Sequence, residues 1–307
     1  MVMHGLEGGV YYLDPLLAFA HRSDLIFLKS VSGLIPRREV PDVLLENGDF
    51  TPDRIRRYIL HRTNNKIDVQ VAPDSLKPDT ILVVSTMVVQ AEWQTLFYQQ
   101  RTYQHPFQSL KEHGYLEAKV DMMTDVRIVP WKQDHQLGVT VAALPLKDKD
   151  LLFIIVLPLG SHGFADVEQA ILKENDVLDT IFGGLEPTLV RLGIPRFRIN
   201  TTFYMREGLQ SLGMVQAFDP NLADFSKLSN ATLMNDKLYL SDIVHAAAIE
   251  VNEEGVSPSS AASPIQLGHP FGMVPPDYSF IADHPFLFFI RHTVVGKTLL
   301  SGKYLGP

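Results

Sequence analysis

Residues 81–89 read I-L-V-V-S-T-M-V-V. The run favours strand and shows no polar alternation, which predicts a strand buried on both faces. Such a strand belongs in the middle of a sheet, so the surrounding chain must supply neighbouring strands and covering helices. Upstream, Thr51-Pro52-Asp53 followed by R-I-R-R-Y-I-L-H-R reads as a helix start. Thr51 is its cap, Pro52 its first position, and Asp53 sits at the positive end of the dipole. Ile55, Tyr58 and Ile59 then share one face. Downstream, 138–144 and 151–157 form a predicted pair around the charged turn Lys147-Asp148-Lys149-Asp150. Further strands are predicted over 190–199 and 243–251, and a closing hairpin joins 286–291 to 298–304 through Val295-Gly296. Helices are predicted over 167–178, ended by Gly183-Gly184, and over 205–212, closed by Gly213. Strands dominate, and the order is not the regular alternation of a doubly wound fold. The expected class is α+β with a large sheet.

Composition narrows the function. The chain has 307 residues, 46% hydrophobic and 20% charged, which suits one large domain, 1–307, with a substantial core. A net charge of −8 without a basic cluster argues against nucleic acid and anionic membranes as partners. No apolar run approaches the roughly 18 residues needed to cross a bilayer. Cysteine is absent, which removes disulfides and thiolate metal sites. The eleven histidines show no paired metal spacing, and the common nucleophile, zinc and phosphate-loop motifs are missing. No cofactor and no enzymatic activity are expected. Two sequons, at Asn200 and Asn230, lean toward a secreted glycoprotein, although the N-terminal residues do not read as a signal peptide.

A second stretch raises a different question. Residues 250–264 read E-V-N-E-E-G-V-S-P-S-S-A-A-S-P. An acidic pair runs into a glycine, followed by residues that are almost all Ser, Ala or Pro. Such a segment is either a plain surface loop or a piece of chain kept small so that it can slide into something.

Motifs along the chain favour the second reading. L-V-V-S-T-M-V-V-Q-A-E-W-Q-T-L-F (82–97), Val120-Asp121-Met122-Met123 and L-P-L-K-D-K-D-L-L-F-I-I-V-L-P (144–158) follow one another. Then come I-P-R-F-R-I-N (194–200), Leu212-Gly213-Met214 with Ala217-Phe218, Ala223-Asp224-Phe225-Ser226 and H-A-A-A-I-E-V-N-E-E-G (245–255). A-D-H-P-F-L-F-F-I (282–290) and T-L-L-S-G-K-Y-L-G-P (298–307) close the series. In order and spacing these resemble the serpins, from about Asp24 to Pro307. The resemblance implies a fold with one dominant mixed sheet, two smaller sheets and surrounding helices. It also implies a serine-protease inhibitor whose exposed loop is cleaved, becomes acyl-linked to the protease, and inserts as a new central strand of the main sheet. An inserting segment must present small side chains to two buried faces and pair every N–H and C=O, which accounts for the plain composition.

On this resemblance residues 253–281 form the reactive-centre region, and Glu253, Glu254, Gly255, Val256, Ser257 and Pro258 form its hinge. Gly255 supplies rotational freedom, and the acids keep the loop base solvated. Counting from the hinge glycine places the cleaved residue near His269, whereas counting back from Asp283-His284-Pro285 places it near Val274. No Lys or Arg lies between Val256 and Pro276. Leu267, Phe271 and Met273 suit a chymotrypsin- or elastase-like partner rather than a trypsin-like one. Ser85 and His245 fall at the positions of a polar shutter, with Ser85 in place of the usual Asn. Trp93, Arg196 and Glu253 fall at positions that pin the loop base at the top of the sheet.

Pro258 and Pro264 depart from the pattern. Proline gives no N–H to a ladder and is nearly excluded from central strands, so each loses a bond worth about 0.5–1.5 kcal/mol on insertion. Impaired trapping is expected, with a non-inhibitory serpin that binds a ligand or partner, or serves as a protease substrate, as the alternative. Residues 1–23 match poorly, so an N-terminally shortened member is expected. By resemblance the protein is also expected to be monomeric and extracellular.

Overall fold

The structure is a computed structural model and describes residues 11–14, 51–72, 75–76, 80–173, 176–226, 238–256 and 275–307. In chain order its strands are β1 (Tyr11–Asp14), β2 (Thr80–Val89), β3 (Ala91–Glu92), β4 (Thr102–Lys111), β5 (Gly114–Asp134), β6 (Val139–Pro145) and β7 (Leu151–Pro158). They continue with β8 (Glu186–Pro195), β9 (Phe197–Tyr204), β10 (Tyr239–Val251), β11 (Gly255–Val256), β12 (Tyr278–Ile281), β13 (Phe286–His292) and β14 (Lys297–Tyr304). Among the described residues these make one six-stranded and one eight-stranded sheet, the α+β arrangement expected. The chain divides into two compact units, one built mainly from Tyr12–Val88 and Ile199–Ile249, the other from Val89–Arg198 and Glu250–Pro307.

In the first unit β2 lies between β1 and β10, the interior position its unbroken apolar run predicted. β10 runs parallel to it, paired from Tyr239↔Thr80 to Ala248↔Val88 with a one-residue register shift between Leu240 and Asp242. The helix Pro52–Arg62 begins as expected: Thr51 Oγ1 accepts the Arg54 amide at 3.3 Å, and Pro52 occupies the first turn. Ile55 and Ile59 are buried in a core formed with Val84, Val88, Val244, Ala246 and Phe218.

In the second unit the strand order is β12-β8-β5-β6-β7-β13-β14, with β4 paired to β5. The β6–β7 hairpin turns at the charged residues anticipated, in antiparallel register from Val139↔Pro158 to Pro145↔Leu152. Val139, Val141, Ala143, Ile154 and Val156 are buried with Phe164, Val167, Val177 and Ile181 from the helices covering them. The closing hairpin is present, its turn carried by Gly296 at φ +62°.

Several elements differ from expectation, among them the unanticipated strand β4. The strand predicted over 190–199 is two strands, because at Arg196 the chain leaves β5 and its next strand pairs with β10. The helix predicted over 167–178 is two helices, Phe164–Lys173 and Val177–Phe182, the first opened early by the buried Phe164. The 21-residue strand β5 was not anticipated, since it changes partners along its length and carries Pro130 internally.

Candidate functional site

β10 ends at Val251, and the chain then turns through Asn252-Glu253-Glu254. The Asn252 side chain shapes the turn: its Oδ1 accepts the Glu254 amide at 2.9 Å and the Gly255 amide at 3.2 Å. The Asn252 amide donates to the Gly255 carbonyl at 3.0 Å, which brings Val256 back beside Val251. β11 is thereby antiparallel to β10 on one side and to β3 on the other, through Gly255↔Glu92 and Val256↔Ala91. Val256 is fully buried there. Gly255 is required for a reason beyond rotational freedom. A Cβ at this position would stand 2.1 Å from the Ala91 carbonyl oxygen, so only glycine allows β3 to approach.

Every carbonyl of the turn is held from outside it. The Trp93 indole Nε1 donates to Asn252 O at 2.7 Å, the Phe97 amide to Glu253 O at 2.9 Å, and the Trp93 amide to Glu254 O at 2.9 Å. The Glu253 carboxylate is buried, with Thr102 Oγ1 donating to Oε1 at 2.6 Å and Arg196 Nε 3.5 Å from Oε2. This corrects the expectation that both acids solvate the loop base: Glu253 is an internal anchor, and only Glu254 remains partly open. Trp93, Arg196 and Glu253 are thus brought together around one turn.

Ser85 and His245 are also brought together, as direct register partners on β2 and β10, with side chains on the same face. Both are half-buried, and among the described residues no hydrogen bond joins them. The ladder around them is closed: nine residue pairs link β2 directly to β10 with no strand between.

Ser257, Pro258, Pro264, Leu267, His269, Phe271, Met273, Val274 and Asn230 lie outside the described residues. Asn200 is exposed on β9. Sequence reading missed Asn252, Phe97 and Thr102. Asn252 had a local signal, since an Asx side chain before E-E-G favours a turn. Phe97 acts through its backbone, and Thr102 meets Glu253 across 151 positions of chain, so neither left one. Among the described residues no His, Asp and Glu cluster is arranged for a metal, and no helix is long and apolar enough to cross a membrane.

Comparison with known proteins agrees with this geometry. The family described as "Serpin (serine protease inhibitor)" matches residues 34–307. Serpin B6 of Macaca fascicularis is 32% identical over 254 residues, covering 82% of this chain and 65% of its own length. Leukocyte elastase inhibitor of Sus scrofa is 32% identical over 258 residues with the same coverages. Serpin B10 of Homo sapiens is 28% identical over 297 residues, 96% of this chain and 71% of its own. This chain therefore spans about two thirds of the length of the relatives it matches. Among solved structures, uncleaved ovalbumin superposes with a TM-score of 0.76 at 22% identity, covering 94% of this chain and 72% of ovalbumin. Serpin48 of the insect Tenebrio molitor gives 0.75 at 24% identity, covering 94% and 74%. The chain belongs to the serpin family of serine-protease inhibitors, and its fold is the serpin fold.

Proposed function

We propose that this chain, acting as one serpin domain, is bait for a serine protease through residues 253–281, and that its trapping step is impaired. The observation that supports this reading is the two-residue strand β11, antiparallel to β10 and β3. A cleaved loop entering the sheet would continue β11 between β2 and β10, so insertion has its first two positions already formed. The next positions are unfavourable. Pro258 and Pro264 lie on one edge of that incoming strand, and each withholds a ladder donor worth about 0.5–1.5 kcal/mol. Insertion summed over a whole strand stays favourable, but it must outrun hydrolysis of the acyl link, and a slow start favours release of the protease.

The absence of Lys and Arg from Val256 to Pro276, together with a relative named for leukocyte elastase, points to an elastase- or chymotrypsin-like partner. In this reading the chain is consumed as a substrate, acts as a monomer, needs no cofactor and performs no catalysis of its own. Secretion and glycosylation rest on the family resemblance and the two sequons alone, and the proposal does not depend on them.

The test is incubation with an elastase- or chymotrypsin-like protease, followed by boiling in detergent. The expected result is cleavage between Gly255 and Pro276 without a surviving covalent complex, and little rise in melting temperature. Replacing Pro258 and Pro264 with Ala should raise the melting temperature of the cleaved form. A stable complex with the unmodified chain would overturn the impairment and restore ordinary inhibition. Resistance to every protease tried would remove the bait reading and leave the non-inhibitory, partner-binding alternative.

A further inference from the structure

Beneath the segment that holds the hinge turn lies a buried ion cluster. Asp125 on β5 has a fully buried carboxylate. Its Oδ1 accepts Arg101 Nη1 at 2.7 Å and the Val126 amide at 2.9 Å, and its Oδ2 accepts Arg127 Nε at 3.0 Å and Nη2 at 2.6 Å. The Arg127 side chain is 10% exposed, and burial pulls its guanidinium below the ordinary pKa against the opposing pull of Asp125. Its remaining donors leave β5 altogether: Nη1 reaches Thr95 O at 2.5 Å and Nη2 reaches Leu96 O at 3.2 Å. The guanidinium also lies over the Phe97 ring, 4.1 Å from its centroid.

One planar fork therefore fixes two consecutive carbonyls and the next aromatic ring. The residues so fixed, 95–97, end at the amide that donates to Glu253 O, and they follow the Trp93 amide and indole that hold Glu254 and Asn252. A buried ion pair is weak support for stability, because desolvation offsets most of its Coulomb gain. Its value here is directional: guanidinium geometry sets where 95–97 lies, which a lysine ammonium cannot reproduce.

We propose that Asp125 and Arg127 are positioning residues for the hinge, holding 93–97 where its amides capture the 252–254 turn and seat Gly255-Val256 between β10 and β3. The inference rests on the proposed function only in taking this turn as the place where the loop would insert. Its test needs no protease. Amide hydrogen exchange is measured on the whole chain for Arg127→Met, Arg127→Lys and Asp125→Asn. Arg127→Met is expected to speed exchange at Trp93, Phe97 and Asn252 by about tenfold, the worth of a lost hydrogen bond, with the β6–β7 ladder unchanged. Arg127→Lys, which keeps the charge but not the fork, should give a smaller acceleration at the same three amides. Should Arg127→Met fail to fold, Arg127→Lys and Asp125→Asn carry the same comparison. Acceleration spread equally over the β6–β7 ladder, or none anywhere, would overturn the positioning role. Local acceleration in a chain that no protease cleaves would leave this role standing and remove only the bait reading. Cleavage without a stable complex, together with unaltered exchange in all variants, would remove this role alone.

Discussion

β6 and β7 form one buried strand pair, and β2 and β10 form another, but the two are made of different material. The first is almost wholly apolar, with Phe153, Ile154, Ile155 and Val156 facing Leu144, Ala143, Ala142 and Val141 across a short turn. The second joins segments from distant parts of the chain. It carries Thr80, Ser85, Thr86, Ser241, Asp242 and His245 along its length and three successive alanines, Ala246, Ala247 and Ala248, near its end. Small and polar side chains bury less apolar surface per residue, so separating β2 from β10 costs less than separating β6 from β7. The β2–β10 ladder, in the six-stranded sheet, is therefore the easier of the two to part, and β6–β7, in the eight-stranded sheet, the harder.

The largest expected effect breaks the permanent ladder. Ile154 is 1% exposed within the core of the second unit, so Ile154→Ala should cost about 2–5 kcal/mol, read from the midpoint of urea unfolding. A cost well under 1 kcal/mol would mean that this pair is not the rigid half of the comparison.

The next effect lies at the hinge turn. Glu253 is buried with two partners on its carboxylate, whereas the Arg196 side chain is 48% exposed. Glu253→Ala should lower stability by about 1–3 kcal/mol, since Thr102 loses its acceptor in a buried setting. Arg196→Ala should cost about 0–1 kcal/mol, as solvent screens its half of the pair. In the double variant the Arg196 cost should vanish, because its carboxylate partner is already gone. Additive losses in thermal melts would show that Arg196 contributes through something other than Glu253.

Sequence made the buried strands and the capped helix most legible. Buried apolar runs such as 81–89 and 151–157 announce themselves without knowledge of their partners, and so does the capped helix at Thr51. β5 escaped notice because one strand serves β4, β8 and β6 in turn, so its burial pattern changes along its length and Pro130 argues against it. At the site, Trp93, Arg196 and Glu253 were reached through resemblance. Asp125 and Arg127 were invisible, since a D-x-R pattern on an amphipathic strand looks like a solvated face until its partners are in place. Two of the three donors to the turn's carbonyls are backbone amides, and amides have no sequence signature.

At the ladder that can part the expected effect is a gain rather than a loss. Ser85 and His245 oppose each other in register with side chains on one face, yet no bond joins them, and a serine hydroxyl reaches less far than an amide. Ser85→Asn adds one heavy atom of reach and two N–H donors at a half-buried position, enough for the amide to meet the imidazole across the parallel pair. The expected gain is about 0.5–1.5 kcal/mol, seen as a rise in melting temperature of the uncleaved protein. The same substitution in a His245→Ala background should give no rise, which separates a new cross-strand bond from a general benefit of asparagine at this position. An equal rise in both backgrounds would show that the two side chains do not meet. A rise confined to the His245 background would show that one hydrogen bond is enough to make the β2–β10 ladder measurably harder to open.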